Sequence, residues 1–207
     1  MKKFIIALIL VISGIVALTF IPSEQQPAPM PWQISLMPDG QISVFNIHLG
    51  TTSYRQAQQS LKMYGQTSIF SQQGRPSTVE AFFNSINLGG LSAKLVLNLI
   101  VDNDEIEKMK SRALEARLQP SGAHQYQLSN QDNASLVNAA VGAITYIPSV
   151  RLDKEMLIHR FGLTDLVSQD SDNPDTEIWQ YPTLGLTIYL NPNEKTILQY
   201  QMLPLRE

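Results

Sequence analysis

The feature that most constrains this fold is a correspondence between two stretches of the chain at a nearly constant separation. Gly65 lies 97 positions before Gly162, and an aromatic residue precedes each glycine. Similar residues at matching separations are Leu61 with Ile158, Glu80 with Glu177, Phe82 with Trp179, and, after a deletion of two residues, Gly90-Leu91 with Gly185-Leu186. These matches predict an internal repeat of about residues 45–101 and 142–202. The alternative is that two units with the same succession of elements look alike without duplication.

The order of elements in each stretch defines the predicted fold class. Each stretch contains a helix that ends at the aromatic-glycine pair, a polar loop, a strand with an aromatic residue, and a second strand that starts at Gly-Leu. Hairpin-like strand pairs outnumber βαβ crossovers, which favours antiparallel pairing. We therefore predict an α+β fold, with an N-terminal transmembrane helix followed by two related αββ units and a largely antiparallel sheet. The middle segment 104–141 is predicted to be an elaboration of the first unit.

Local patterns predict where the elements lie. Alternating residues on both sides of Pro38-Asp39-Gly40 predict a β-hairpin. Ser53 offers an N-cap for a helix with Tyr54 and Tyr64 on one side, which Gly65 ends. Asp104 and Glu107 predict a capping box for a helix over 104–118. The other predicted elements are helices at 133–141 and 153–161 and strands at 78–84, 91–101, 125–128, 143–147, 177–181, 186–190 and 196–202.

The first residues have the composition of a membrane segment. An uncharged apolar run from Phe4 to Ile21 follows Lys2 and Lys3, and a helix of this length reaches about 27 Å, close to the thickness of the hydrocarbon layer. We predict that residues 1–21 are a single-pass inner-membrane anchor, with 4–21 in contact with the lipid bilayer. The lysines keep the N-terminus in the cytoplasm and place the domain in the periplasm. The alternative is a signal peptide whose cleavage releases the chain into the periplasm.

The composition after the apolar run divides the chain and excludes several classes of partner and chemistry. Four prolines predict an extended tether over 22–31, followed by a soluble domain over 32–207. The absence of cysteine excludes disulfides, thiolate metal sites and cysteine nucleophiles. The 15 Lys and Arg residues are scattered and are outnumbered by 18 Asp and Glu, so nucleic acid is not a predicted partner.

No residue pattern identifies a catalytic, cofactor-binding or metal site. His48, His124 and His159 lie far apart and in no zinc-binding spacing. Gly89-Gly90 lacks the lysine of a phosphate-binding loop, and it predicts a tight turn. The acidic loop 170–177 has the alternating carboxylates of calcium loops, but it lacks the glycine and the final glutamate at the required spacing. We therefore predict no cofactor and interpret this loop as solvated, with calcium as the alternative.

Trp179 and Tyr181 alternate along a predicted strand, so both rings point to the same side of a sheet. If that side is the core, the two rings pack inside the domain. If it is an uncovered face, they form an adhesive patch for a partner. We favour the core.

Three motifs carry a resemblance to a known family. They are His159-Arg160-Phe161-Gly162, Trp179-Gln180-Tyr181-Pro182 and Gly185-Leu186-Thr187-Ile188-Tyr189-Leu190. Together they resemble the small envelope domains of the SmpA/OmlA outer-membrane-assembly lipoproteins, and a tandem pair of such units resembles the proteinaceous β-lactamase inhibitors. The chain departs from the lipoprotein pattern because it has no lipid-bearing cysteine. The resemblance implies a periplasmic binding or assembly module of the Gram-negative envelope, without catalysis.

These observations lead to two functional hypotheses. The preferred one is a membrane-anchored periplasmic module that acts through protein–protein contact with another envelope protein and is not an enzyme. The alternative is an envelope hydrolase that uses converging Asp and Glu carboxylates, which requires two carboxylates about 5 to 10 Å apart in a cleft.

Overall fold

A computed structural model describes residues 29–204, and strands predominate in this part of the chain. The α-helices are α1 (Tyr54–Leu61), α2 (Asn103–Ser111), α3 (Asn130–Ser135) and α4 (Lys154–Phe161). The strands are β1 (Ser35–Leu36), β2 (Ile42–Val44), β3 (Ile47–His48), β4 (Gln66–Ser71), β5 (Thr78–Leu88), β6 (Leu91–Leu99), β7 (Glu115–Leu118), β8 (His124–Gln127), β9 (Val141–Pro148), β10 (Val167–Gln169), β11 (Glu177–Tyr181), β12 (Leu186–Leu190) and β13 (Ile197–Gln201). Short 3₁₀ helices lie at Leu136–Asn138 and Pro182–Leu184.

Ten strands form one antiparallel sheet in the order β10-β11-β12-β13-β9-β6-β5-β4-β8-β7. The four strands on each side of the boundary between β9 and β13 are arranged symmetrically. On one side, α1 is followed along the chain by β4, β5, β6 and β9; on the other, α4 is followed by β10, β11, β12 and β13. The segment from α2 to α3 is inserted between β6 and β9, and its β7–β8 hairpin extends the sheet beyond β4. Strands β1 to β3 form a separate small sheet.

The core lies on one face of the large sheet. Phe83, Leu95 and Tyr146 on neighbouring strands are at most 1% exposed. Phe45, directly after β2, packs its ring 5.1 Å from that of Tyr146 and 5.9 Å from that of Tyr200. Helices α1, α2 and α4 bury their apolar residues in the same cluster. We call this side of the sheet the core face.

The chain enters the domain on the core face. Pro31 is buried, and its carbonyl oxygen accepts a hydrogen bond of 2.7 Å from the Tyr200 hydroxyl. The guanidinium of Arg160 on α4 lies 4.2 Å from the centroid of the Trp32 ring, a favourable cation–π contact. The last residues of the predicted tether therefore pack on the domain, and 22–28 lie outside the described residues.

The predicted fold class, α+β with two related αββ units, is wrong for the described residues. The domain is mostly antiparallel sheet, and four strands of the large sheet rather than two follow each of α1 and α4 along the chain, with β9 as the fourth strand after α1. The two stretches that were expected to be polar loops contain β4 and β10, in corresponding positions. All three residues of β10 are exposed, so backbone pairing with β11 defines this strand and no apolar alternation marks it. Duplication of the units stays a prediction.

Two predicted helices are shorter than expected. The helix predicted over 104–118 ends at Ser111, and Glu115–Leu118 instead forms the edge strand β7, because its backbone pairs with β8. Leu118, which was expected on the helix, is 68% exposed. The predicted cap is also wrong, since Asp102 occupies the N-cap and makes no side-chain cap bond. The helix predicted over 133–141 is α3 and a 3₁₀ turn, which end before β9.

The membrane prediction concerns residues that the structure does not cover. Between residues 29 and 204, no helix is long and apolar enough to cross a bilayer. The predicted anchor at 1–21 lies outside the described residues.

The backbone at Gly185 passes close to β13, which predicts a large effect of adding a methyl group. Gly185 has φ of +57°, and a Cβ there would lie 2.4 Å from the Gln201 carbonyl oxygen. Gly74 has φ of +78°, but a Cβ there meets nothing within 4 Å. We expect Gly185→Ala to lower the free energy of unfolding by about 2 kcal/mol more than Gly74→Ala, as measured by urea unfolding. Equal losses of unfolding free energy in the two variants would show that backbone strain alone, and not the contact with β13, destabilises Gly185→Ala.

Candidate functional site

The second face of the ten-stranded sheet is a candidate interaction surface. Alternate side chains of each strand point to it. Strand register aligns one row of these side chains, formed by Gln66, Phe82, Val96, Thr145, Gln199, Thr187 and Gln180. A second row is formed by Lys94, Ile147, Ile197, Tyr189 and Ile178. We call the surface of these two rows the open face.

The apolar side chains of the open face are separate from the core. Phe82, Val96, Ile147, Tyr189 and Ile197 are half-buried, and they belong neither to the core cluster nor to the residues packed around it. By contrast, their neighbours along the strands, such as Leu95 and Ile188, are fully buried on the core face. Within residues 29–204, the strands of the open face thus present apolar side chains on both sides, although the helices of this part pack on only one.

The open face is almost free of charge. Lys94 is the single ionisable amine in the two rows, and the remaining side chains are aliphatic, aromatic, hydroxyl or carboxamide groups. A surface of this composition favours a partner whose contacts are apolar and neutral polar. Electrostatic steering would contribute little to such binding.

Glu80 lies beside the open face, with Ser68 and Asn98 opposite it on the neighbouring strands. Burial raises the pKa of its carboxyl, and a 2.9 Å hydrogen bond from the Thr78 hydroxyl opposes this shift only in part. The surface around this carboxyl is therefore partly shielded from water.

Replacing Glu80 by Gln is expected to stabilise the protein at neutral pH. The folded protein binds the carboxyl proton of Glu80 more tightly than the unfolded chain does. Stability therefore falls as the pH rises from the ordinary pKa of 4.5 through the raised pKa. Glu80→Gln should raise the free energy of unfolding near pH 7 by up to about 1 kcal/mol. Thermal unfolding of both proteins near pH 7 and well below pH 4.5 tests this prediction. An equal gain in stability at the two pH values would contradict a raised pKa of Glu80 as its cause.

Carboxylates meet in a separate cleft of about 360 Å³ near the start of α4. Two of them already have structural partners. Asp153 accepts a 2.7 Å hydrogen bond from the Met156 N–H and so caps α4. Lys154 lies 2.6 Å from Glu177 and lowers the pKa of that carboxyl. A hydrolase needs a carboxylic acid with a raised pKa beside a second carboxylate, and Glu80 faces the other side of the sheet. The carboxyl of Glu80 is therefore not paired with the carboxylates of this cleft.

The three histidines do not form a common site. His48 hydrogen-bonds to Asp39 at 3.0 Å, the ring of His124 lies 6.5 Å from that of Tyr126, and His159 belongs to α4. Within the described part of the chain, no three His, Asp or Glu side chains are grouped so that they could hold a metal ion.

The acidic loop 170–177 is organised by its own backbone. The Asp170 N–H donates to the Thr176 carbonyl at 3.0 Å, and the Asp170 carboxylate accepts a 3.0 Å bond from the Asp172 N–H. These two hydrogen bonds close the loop between Asp170 and Thr176.

Trp179 and Tyr181 lie on the core face, as predicted, and each is 7% exposed. The Tyr181 hydroxyl donates a 2.9 Å hydrogen bond to the Gly162 carbonyl. The residues between and before these aromatics, Gln180 and Ile178, are the ones that reach the open face. The sequence analysis missed this surface. The apolar residues at both even and odd positions of Leu186–Leu190 could have indicated that both faces of this strand carry apolar side chains.

Comparisons of this chain with protein families, curated proteins and solved structures find no match. They therefore do not bear on the resemblance to the SmpA/OmlA lipoproteins or the β-lactamase inhibitors, and the functional argument depends on the geometry of the domain.

Proposed function

We propose that this chain is a tethered protein-binding module of the cell envelope, which contacts another folded protein through its open face. The main support for the proposal is that half-buried apolar side chains of β5, β6, β9 and β11 to β13 lie side by side on one face of the sheet. These side chains do not belong to the core cluster. Apolar side chains that lie outside the core and partly reach the surface are candidates for an interaction site.

The dimensions of the open face favour a macromolecular partner. The first row crosses seven adjacent strands, which corresponds to about 29 Å at the usual spacing between strands. It is a broad surface rather than an enclosed pocket, so a small ligand would leave most of it exposed. A folded protein with a neutral, partly apolar surface fits this shape and composition.

The entry point of the chain supports access to this surface. Pro31 and Trp32 pack on the core face, the side of the sheet opposite the open face. If residues 1–21 anchor the chain in the inner membrane, the eight residues 22–29 reach at most about 28 Å. In this proposal the tether keeps the domain in the periplasm near the membrane while the open face remains free for its partner.

Photo-crosslinking from glutamine positions on the open face and on α1 tests the proposal. A photoreactive residue is placed at Gln199 or Gln180 on the open face, and at the exposed Gln59 of α1 as a matched control. In native cells we expect one discrete heterologous adduct from the open-face positions and none from Gln59. An adduct of twice the 23.1 kDa chain would identify a second copy as the occupant instead. Equal labelling from both faces, or no adduct at all, would contradict the proposal.

A further inference from the structure

A cleft of about 700 Å³ lies where the first residues of β4, the end of β8 and helices α1 and α3 meet. Six carboxamide side chains line it, which gives the cleft an unusual density of groups that both donate and accept hydrogen bonds. They are Gln58, Gln66, Gln125, Gln127, Asn130 and Asn133. We call it the amide cleft. Its volume falls in the range of small-ligand sites.

Part of the amide cleft is held by internal hydrogen bonds. Gln125 donates to the Ser68 hydroxyl at 3.0 Å and accepts from Gln119 at 2.8 Å. Asn133 accepts a hydrogen bond from the Thr67 hydroxyl. These contacts fix the wall of the cleft in place before any ligand arrives.

Other carboxamides in the cleft keep their hydrogen-bonding capacity. Gln66, Gln127 and Asn130 are exposed, and their side chains make no hydrogen bond to any group between residues 29 and 204. Each can donate through its NH₂ group and accept through its carbonyl oxygen. A ligand bearing several groups with the same dual capacity could pair with all three.

The charges of the amide cleft cancel each other. Glu115 and Arg117 on the edge strand β7 form a two-point ion pair, with nitrogen–oxygen distances of 2.6 and 2.8 Å. These are the charged side chains that line the cleft within the described residues. Glu115 neutralises the charge of the guanidinium and occupies two of its five N–H donors, so a neutral ligand fits the site best.

The exposed ring of Tyr64 lines the amide cleft. Tyr64 is 87% exposed, although its counterpart in the second unit, Phe161, packs against Tyr181 with a ring separation of 6.0 Å. The backbone beside Tyr64 is fixed, because the Tyr54 hydroxyl donates a 3.0 Å hydrogen bond to the Gly65 carbonyl. The ring thus presents an apolar surface next to a wall of carboxamides.

We propose that the amide cleft binds a neutral oligosaccharide. Sugar hydroxyls donate and accept hydrogen bonds and so match free carboxamides, while the C–H face of a pyranose ring is apolar and can stack on the Tyr64 ring. This proposal rests on different observations from the protein-binding proposal, since the cleft lies at the β4–β8 end of the sheet and the two surfaces share only the side chain of Gln66.

Isothermal titration of the full-length chain with chitotetraose and with maltotetraose tests this site. The chain is kept in a detergent without a sugar headgroup, because a glycosidic detergent would compete. We expect saturable binding of at least one oligosaccharide below about 10 mM. Tyr64→Ala should weaken it about threefold to tenfold, and Gln127→Leu should also weaken it. Both residues are exposed, so neither change should affect folding.

Matched controls separate this proposal from the protein-binding one. Tyr189→Ala and Gln180→Leu change the same residue types on the open face and should leave oligosaccharide affinity unchanged. The absence of saturable binding, or binding that Tyr64→Ala and Gln127→Leu do not weaken, would overturn the proposal. Binding of tetra-alanine at comparable affinity would overturn it as well, because it would identify a peptide-binding cleft.

Discussion

Replacing Asp132 by Ala is expected to lower the free energy of unfolding by about 3 kcal/mol. Asp132 is 1% exposed, and it accepts hydrogen bonds from Arg112 Nε at 2.7 Å and from the Ser129 hydroxyl at 2.7 Å. Ser129 in turn caps α3 by accepting from the Asp132 N–H. The substitution removes the contact that joins the end of α2 to α3, and urea unfolding monitored by circular dichroism measures the loss.

Glu105 provides the matched control for this prediction. It contacts the same guanidinium at 2.9 Å, but its side chain is 40% exposed. Glu105→Ala should therefore cost less than about 1 kcal/mol. Similar losses in the two variants would show that burial of the Asp132 carboxylate is not what makes its contact strong.

The loss at Asp132 should depend on pH. Burial opposes ionisation of this carboxyl, but the hydrogen bonds from Arg112 and Ser129 outweigh it and lower the pKa of Asp132 below the ordinary value of 3.8. A lowered pKa contributes stability above the ordinary value, and this stability is lost as the pH falls through the lowered pKa. The difference between the wild type and Asp132→Ala should therefore be full near neutrality and shrink below pH 3.8.

Combining Tyr189→Ala with Ile197→Ala is expected to weaken binding of the crosslinked partner by more than about tenfold. The two side chains face each other on β12 and β13 in the apolar row of the open face. Aromatic and aliphatic residues at the centre of an interface commonly dominate its affinity. Because both are half-buried outside the core cluster, thermal unfolding should change much less than binding.

Leu163→Ala tests whether loss of any exposed apolar side chain has the same effect. Leu163 is 81% exposed and follows α4, away from the open face. Its removal should leave partner affinity unchanged. Affinity should also vary little with salt concentration, since the open face carries almost no charge. A strong salt dependence, or an equal loss in Leu163→Ala, would place the interface elsewhere.

The strands and turns marked by regular alternation could be predicted from the sequence. Pro38-Asp39-Gly40 lies between β1 and β2 as expected, and 177–181 and 186–190 match β11 and β12. The burial of Trp179 and Tyr181 was predictable for the same reason. In each case a local pattern reflects which face of the strand is covered.

Elements held by long-range pairing could not be predicted in this way. β10 has no buried residue, and β7 is an exposed edge strand that continued the helical pattern of α2. The open face depends on the pairing of β9 with β13 and with β6, strands that are far apart in the sequence. The amide cleft likewise joins residues from α1, β4, β8 and α3, which no local motif connects.

Hydroxyl-radical footprinting of the full-length chain in native membranes tests the open face most directly. Oxidation of each side chain is compared between native membranes and the purified chain. We expect protection in membranes at Phe82, Tyr189 and Ile197, with unchanged oxidation at Met156 and Leu163, which are exposed elsewhere on the domain. Equal oxidation of the open-face residues in both samples, or protection confined to Met156 and Leu163, would contradict the proposal that this face binds a protein.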